Sequence, residues 1–187
     1  MNKIQFTVVT LPGAGAFLLS CVLAFGSLSN PTQAQHAQPA GKNVAPQIGA
    51  PAMPFQLKTL DGKSISLVSY RGTPLMINFF ASWCDPCREE MPLINDELAA
   101  KSVNNGYSVL AIAVEDSRAA VTQYAKESKL VFPVALDLNS AVKRAYRIFG
   151  PPATFFIDRR GIIRDIVIGP LTPERASRAL TNAGVRK

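Results

Sequence analysis

The feature that most constrains this 187-residue chain is a junction: the apolar run PLMINFF (74–80) passes directly into ASWCDPCREEMP (81–92). A run with no polar alternation beyond Asn78 is the pattern of a strand covered on both faces. From Asp85 to about Ala100 the spacing changes, and Met91, Leu93, Ile94, Leu98 and Ala99 recur as on a helix that buries one face. A doubly covered strand feeding a helix calls for a layered α/β architecture. Cys84 and Cys87 stand at the turn between the two.

The remaining pattern extends that plan. FQLKTLDGKSISLVSYRG (55–72) alternates about Asp61-Gly62, a two-residue hairpin signal. YSVLAIAVE (107–115) reads as a second buried strand, SRAAVTQYAKES (117–128) as a helix, FPVALD (132–137) as a short strand and NSAVKRAYRI (139–148) as another helix. ATFFID, a turn at Arg160-Gly161 and IIRDIVIG form a closing hairpin. The last helix is TPERASRALTNAG (172–184), with Thr172 as N-cap, Pro173 at its first position and Glu174 in its first turn. The fold class expected is α/β: a central mixed sheet flanked by helices on both faces.

The first 34 residues contain no acid and one base, Lys3, followed by apolar sequence and the small-residue exit SNPTQA. This describes a secretory leader with Thr32 and Ala34 placed for cleavage after Ala34. The apolar stretch also approaches the roughly 20 residues of a membrane span, and Cys21 in LLSC offers a lipidation site. Cleavage, retention as an anchor and lipidation all remain open. The expected organisation is a leader or anchor at 1–34, a linker at 35–45 and one folded domain at 46–187. The composition stays linker-like, rich in Pro, Ala, Gln and Gly, as far as Pro54. An exported, periplasmic or otherwise extracytoplasmic location follows.

The net charge of +7, from 20 Lys and Arg against 13 Asp and Glu, is dispersed and contains no long basic run. It suits a solvated surface or weak attraction to anionic lipid, and argues against a nucleic-acid partner.

The cysteine pair admits few chemistries. A zinc site needs four ligands, but the third cysteine, Cys21, lies in the leader and the single histidine, His36, in the linker. Covalent haem attachment needs His after the second cysteine, where Arg88 stands. A structural disulfide closing so short a loop removes little unfolded-state entropy. A redox role has positive support, because unpartnered N–H groups in the first helical turn stabilise a thiolate. Cys84, nearer the exposed end, is the expected attacking thiol, and Cys87, one turn in, the resolving thiol. Pro86 stiffens the first turn. No metal and no cofactor is called for.

INFFASWCDPCREEMP (77–92) resembles the active-site segment of the thioredoxin-like TlpA/ResA group, which includes the apocytochrome c thiol reductases CcmG and DsbE. LDGKSISLVSYRG (60–72) and FPVALDLNSAVKRAYRIFGPPATFFIDRRGIIRDIVIGPLTPE (132–174) extend the likeness to roughly 46–185. The resemblance implies a thioredoxin-like fold with an N-terminal β-hairpin extension. It matches Pro152 to a cis-proline facing the cysteines and shaping the substrate groove. Pro151 departs from the common pattern: lacking N–H, it leaves substrate to pair through its carbonyl alone. Asn78 takes the place of the buried Asp of thioredoxins and cannot titrate. Glu90, three residues after Cys87 and so on nearly the same helical face, matches the group's active-site glutamate, whereas Glu89 points elsewhere. A buried carboxyl there has a raised pKa and exchanges a proton with Cys87. Trp83 is expected to cap the groove and Pro92 to kink the helix.

Asp85 sets a carboxylate beside Cys84, which opposes the thiolate and favours a reducing pair. The function expected is an exported, membrane-associated protein-disulfide reductase. Its partners are disulfide-bearing clients, with apocytochrome c as the leading class, and a transmembrane thiol electron donor. A general oxidase or isomerase, a peroxiredoxin-like peroxidase and an inert disulfide-bearing interaction domain are the alternatives. The peroxidase is disfavoured by Ile77 and Ala81, where Pro and Thr or Ser are wanted.

Overall fold

The computed structural model describes residues 45–186; the leader, Cys21, His36 and most of the linker lie outside them. One seven-stranded mixed sheet organises these residues. In chain order its strands are β1 (Gln56–Thr59), β2 (Ser64–Ser66), β3 (Leu75–Phe80), β4 (Ser108–Val114), β5 (Val134–Asp137), β6 (Ala153–Ile157) and β7 (Ile163–Ile168). Their spatial order is β2-β1-β5-β4-β3-β6-β7, with β3, β4 and β5 parallel and every other pairing antiparallel.

All six residues of β3 are buried, because helices cover both sheet faces. One face packs under α1 (Asp85–Pro92), α3 (Arg118–Glu127) and α5 (Pro173–Asn182), through Met91, Val121, Tyr124, Ala176 and Ala179 against Met76, Phe80 and Phe156. The other lies under a 3₁₀ turn (Leu67–Tyr70) and α4 (Ala141–Ala145), through Leu67, Val142 and Tyr146 against Ile77, Phe79 and Phe155. Phe79, Phe80 and Phe156 have no exposure, and each such side chain contributes about 1.5–3 kcal/mol by leaving water. The mixed, doubly covered sheet with a hairpin at one edge is the thioredoxin-like α/β fold the sequence led us to expect.

Four details differ from the sequence reading. The β1–β2 connection has three residues, Leu60, Asp61 and Gly62, since Thr59 N–H donates to the Lys63 carbonyl; Gly62, at φ +83°, takes the left-handed position of such a loop. The first long helix is α-helical only to Pro92; Leu93–Ala99 is wound as a π-helix before the short α2 (Ala100–Ser102). The change of winding follows directly on the proline, which has no N–H for the carbonyl four residues back. The helix expected over 139–148 contracts to α4. Its first turn is capped by Asp137, whose carboxylate accepts the N–H of Val142 at 3.2 Å and of Lys143 at 2.7 Å, and Arg147 at φ +50° follows its end.

The linker-like composition also outlasts the linker. Gly49 N–H donates to the Ile163 carbonyl, Ile163 N–H to Ala50, and Ala52 N–H to Gly161. Ala52 and Phe55 are buried, so 49–55 belongs to the packed domain despite its lack of periodicity.

Candidate active site

β3 delivers the chain to the site and α1 receives it. Cys84 is the N-cap of α1, with extended backbone (φ −87°, ψ 107°), and its sulfur accepts the Cys87 N–H at 3.3 Å. Asp85 and Pro86 form the exposed first turn; the missing N–H of Pro86 costs nothing where no helical acceptor exists. Cys84 and Cys87 are joined in a disulfide with Cα atoms 5.3 Å apart. Cys84 keeps 4% exposure and Cys87 none, so Cys84 is the outer sulfur.

The loop before Cys84 is fastened from outside. Ser82 N–H donates to the Asp116 carboxylate at 2.6 Å, and the Trp83 indole Nε1–H to the Glu115 carbonyl at 3.0 Å. Arg88 donates to the Ser82 carbonyl at 3.1 Å and lies 5.0 Å from the centre of the Tyr124 ring. Trp83 itself is 58% exposed, standing out from the surface beside the disulfide.

Between α1 and the sheet, one turn on from Cys87, sits a buried polar cluster. Glu90 is 4% exposed, whereas its neighbour Glu89 is exposed. One Glu90 oxygen accepts from Asn78 Nδ2 at 2.8 Å and the other from the Leu171 backbone N–H at 2.6 Å. Burial pushes the Glu90 carboxyl above its ordinary pKa, while these two donors pull in the opposite direction. Asn78 Nδ2 also donates to Thr154 Oγ1 at 3.0 Å. Asn78 Oδ1 is buried with no hydrogen-bond partner among the described residues, a cost that the two bonds of the same amide offset.

β6 starts beside the end of β3, with Ala153 opposite Phe79. The Pro151–Pro152 bond, which is cis, therefore lies at the same end of the strands from which the cysteine loop departs. Pro152 is buried and its carbonyl accepts the Gly169 N–H at 3.0 Å, while Pro151 is half-buried. Of the residues singled out from sequence, Cys84, Cys87 and Glu90 share one helix. Trp83, Asp85 and Pro86 flank the disulfide, and Pro151 and Pro152 immediately precede the adjacent strand β6.

Sequence reasoning did not find Thr154, Leu171, Glu115 or Asp116. A polar residue inside the apolar run ATFFI was the one available signal for Thr154. The other three act through backbone groups or a loop carboxylate, which leave no pattern.

Replacing Asn78 by leucine removes a donor from a buried carboxylate and from Thr154. We expect a loss of about 2–3 kcal/mol, read as a lower urea midpoint at unchanged slope.

The arrangement is that of a dithiol–disulfide centre with a buried carboxyl on the same helix, and comparison with known proteins supports a thiol-disulfide chemistry. The AhpC/TSA family model matches residues 48–166. Thiol-disulfide oxidoreductase ResA of Oceanobacillus iheyensis is 38% identical over 133 residues, 69% of each chain. A thiol:disulfide interchange protein of the thioredoxin family from Chlorobium tepidum superposes with a TM-score of 0.65 at 30% identity, covering 74% of this chain and 99% of that one. StoA of Bacillus subtilis does so with 0.59 at 28% identity, over 70% and 97%. The chain belongs to the AhpC/TSA family and, within it, to the thioredoxin-like thiol-disulfide oxidoreductases of the ResA kind.

Proposed function

We propose that this thiol-disulfide oxidoreductase works as a reductase of exported proteins, with apocytochrome c as its leading client class. A transmembrane thiol donor is proposed to re-reduce it. The observation that carries the direction is Asp85, exposed at the start of α1 directly after Cys84: a carboxylate at that position would disfavour the outer thiolate and favour giving electrons away. Export rests on the leader-like first 34 residues. No helix among the described residues is long and apolar enough to cross a membrane, so membrane association is assigned to the N-terminal segment. The folded domain is taken as 46–187, behind a leader or anchor at 1–34 and a linker at 35–45.

In the proposed cycle the Cys84 thiolate attacks a client sulfur. The Cys84–client bond forms, the client disulfide breaks, and one client thiolate leaves. Cys87, its proton taken by Glu90, then attacks the Cys84 sulfur, forming the Cys84–Cys87 bond and releasing the second client thiolate. Two electrons pass to the client, whose thiolates take up protons. Trp83, Asp85, Pro86, Pro151 and Pro152 are assigned to client binding. With no N–H, Pro151 offers an extended client only its carbonyl, which suits docking that depends little on client sequence. Pro151→Ala restores a donor, and tighter capture of a disulfide-linked peptide by about threefold, worth one modest hydrogen bond, is expected. Unchanged capture would remove this role.

The experiment is a pair of assays on the reduced protein: stoichiometric reduction of a disulfide-bonded peptide, and consumption of hydrogen peroxide. The reductase reading expects the first to be fast and the second to be negligible. Rapid peroxide consumption that survives Cys87→Ser would favour a peroxidase instead.

A further inference from the structure

We propose that the Glu115–Lys143 ion pair positions the client groove, tying the turn that holds Trp83 to the helix that leads into Pro151-Pro152. The proposal rests on the reading of Trp83 and Pro151-Pro152 as client-binding residues.

Glu115 follows β4 directly and lies in the left-handed region, at φ +51°, a conformation uncommon for a long side chain and one that glycine would adopt without strain. From that position it makes two contacts at once. Its carbonyl accepts the Trp83 indole N–H at 3.0 Å, and its carboxylate meets Lys143 Nζ at 2.6 Å. The next residue, Asp116, holds the Ser82 N–H at 2.6 Å. Both residues before Cys84 are therefore fastened to this turn.

Lys143 is anchored as firmly on its own side. Its side chain is only 12% exposed, and its backbone N–H donates to Asp137 Oδ2 at 2.7 Å, a carboxylate 1% exposed at the end of β5. Beyond Lys143 the chain passes through buried Tyr146, whose ring lies 5.1 Å from Phe79 and 4.9 Å from Phe155. It then reaches Phe149, fully exposed, and the cis bond. One ion pair thus joins the turn that holds Trp83 to the helix that precedes the Phe149–Pro152 loop. An ordinary surface pair contributes little and would leave Trp83 indifferent to its loss. Here the indole N–H donates to the backbone of the very residue whose side chain the pair restrains.

The chain's single tryptophan supplies one indole N–H resonance, so its order is measurable directly. In Lys143→Met the indole order parameter is expected to fall from the rigid range near 0.85 to below about 0.6. The KM for a disulfide-bonded peptide should rise about fivefold with kcat unchanged. The charge-reversed double variant, Glu115→Lys with Lys143→Glu, should restore both. An unaltered order parameter and KM in Lys143→Met would overturn the proposal. A loosened indole with unaltered KM in both Lys143→Met and Trp83→Ala would instead overturn the client-groove reading beneath it. If Trp83→Ala raises KM and Lys143→Met does not, the groove reading stands and the ion-pair role is lost.

Discussion

Cys87→Ser is expected to abolish turnover and turn the protein into a trap. Cys84 still forms the mixed disulfide, but with Cys87 as the resolving thiol no sulfur remains to displace the client. Turnover should fall by at least about 10³-fold, since both halves of a two-thiol cycle are needed. The adduct should be seen by mass and released by excess dithiol. The reciprocal Cys84→Ser should neither turn over nor trap, because Cys87 is fully buried under α1 and its neighbours. Equal trapping by both variants would show that the inner sulfur is accessible and that the assigned order is wrong. Performed in whole cells, the same variant identifies the client.

Glu90→Gln is the second large effect. The carboxyl is buried, one oxygen taken by Asn78 and the other by Leu171, and its pKa lies above the ordinary value chiefly through desolvation. If it takes the Cys87 proton, its loss should slow resolution of the mixed disulfide by about 10²-fold and abolish the pH dependence of that step. Stability should respond as well. A group whose folded pKa is raised holds its proton more tightly when folded. Its stabilising contribution is complete below the unfolded value, near 4.3, and is lost as pH rises through the folded value. Glu90→Gln removes that loss, so urea midpoints measured upward from pH 4 should fall less steeply in the variant. Parallel midpoint curves and an unchanged resolution rate would remove Glu90 from the mechanism.

What could be read from sequence was local or periodic. The doubly covered β3 follows from PLMINFF and the hairpin from the Asp61-Gly62 turn. The start of α5 follows from Thr172, whose hydroxyl accepts the Arg175 N–H at 3.3 Å. Glu90 could be picked over Glu89 because helical spacing puts it on the face of Cys87. What escaped depends on contacts distant in sequence. Asn78 reaches Thr154 across 76 residues, and Asp116 reaches Ser82 across 34. The segment 49–55 is ordered by bonds to the far hairpin rather than by any pattern of its own. The π-helical winding after Pro92 was anticipated only as a kink, since a missing N–H says where a helix must change but not how.

Whether this pair donates electrons is decided by the equilibrium potential of Cys84–Cys87 against a glutathione buffer. With Asp85 opposing the outer thiolate, a value at the thioredoxin end of the range, near −270 mV, is expected. A value above about −150 mV, toward the strong oxidants near −120 mV, would contradict the reductase and favour an oxidase.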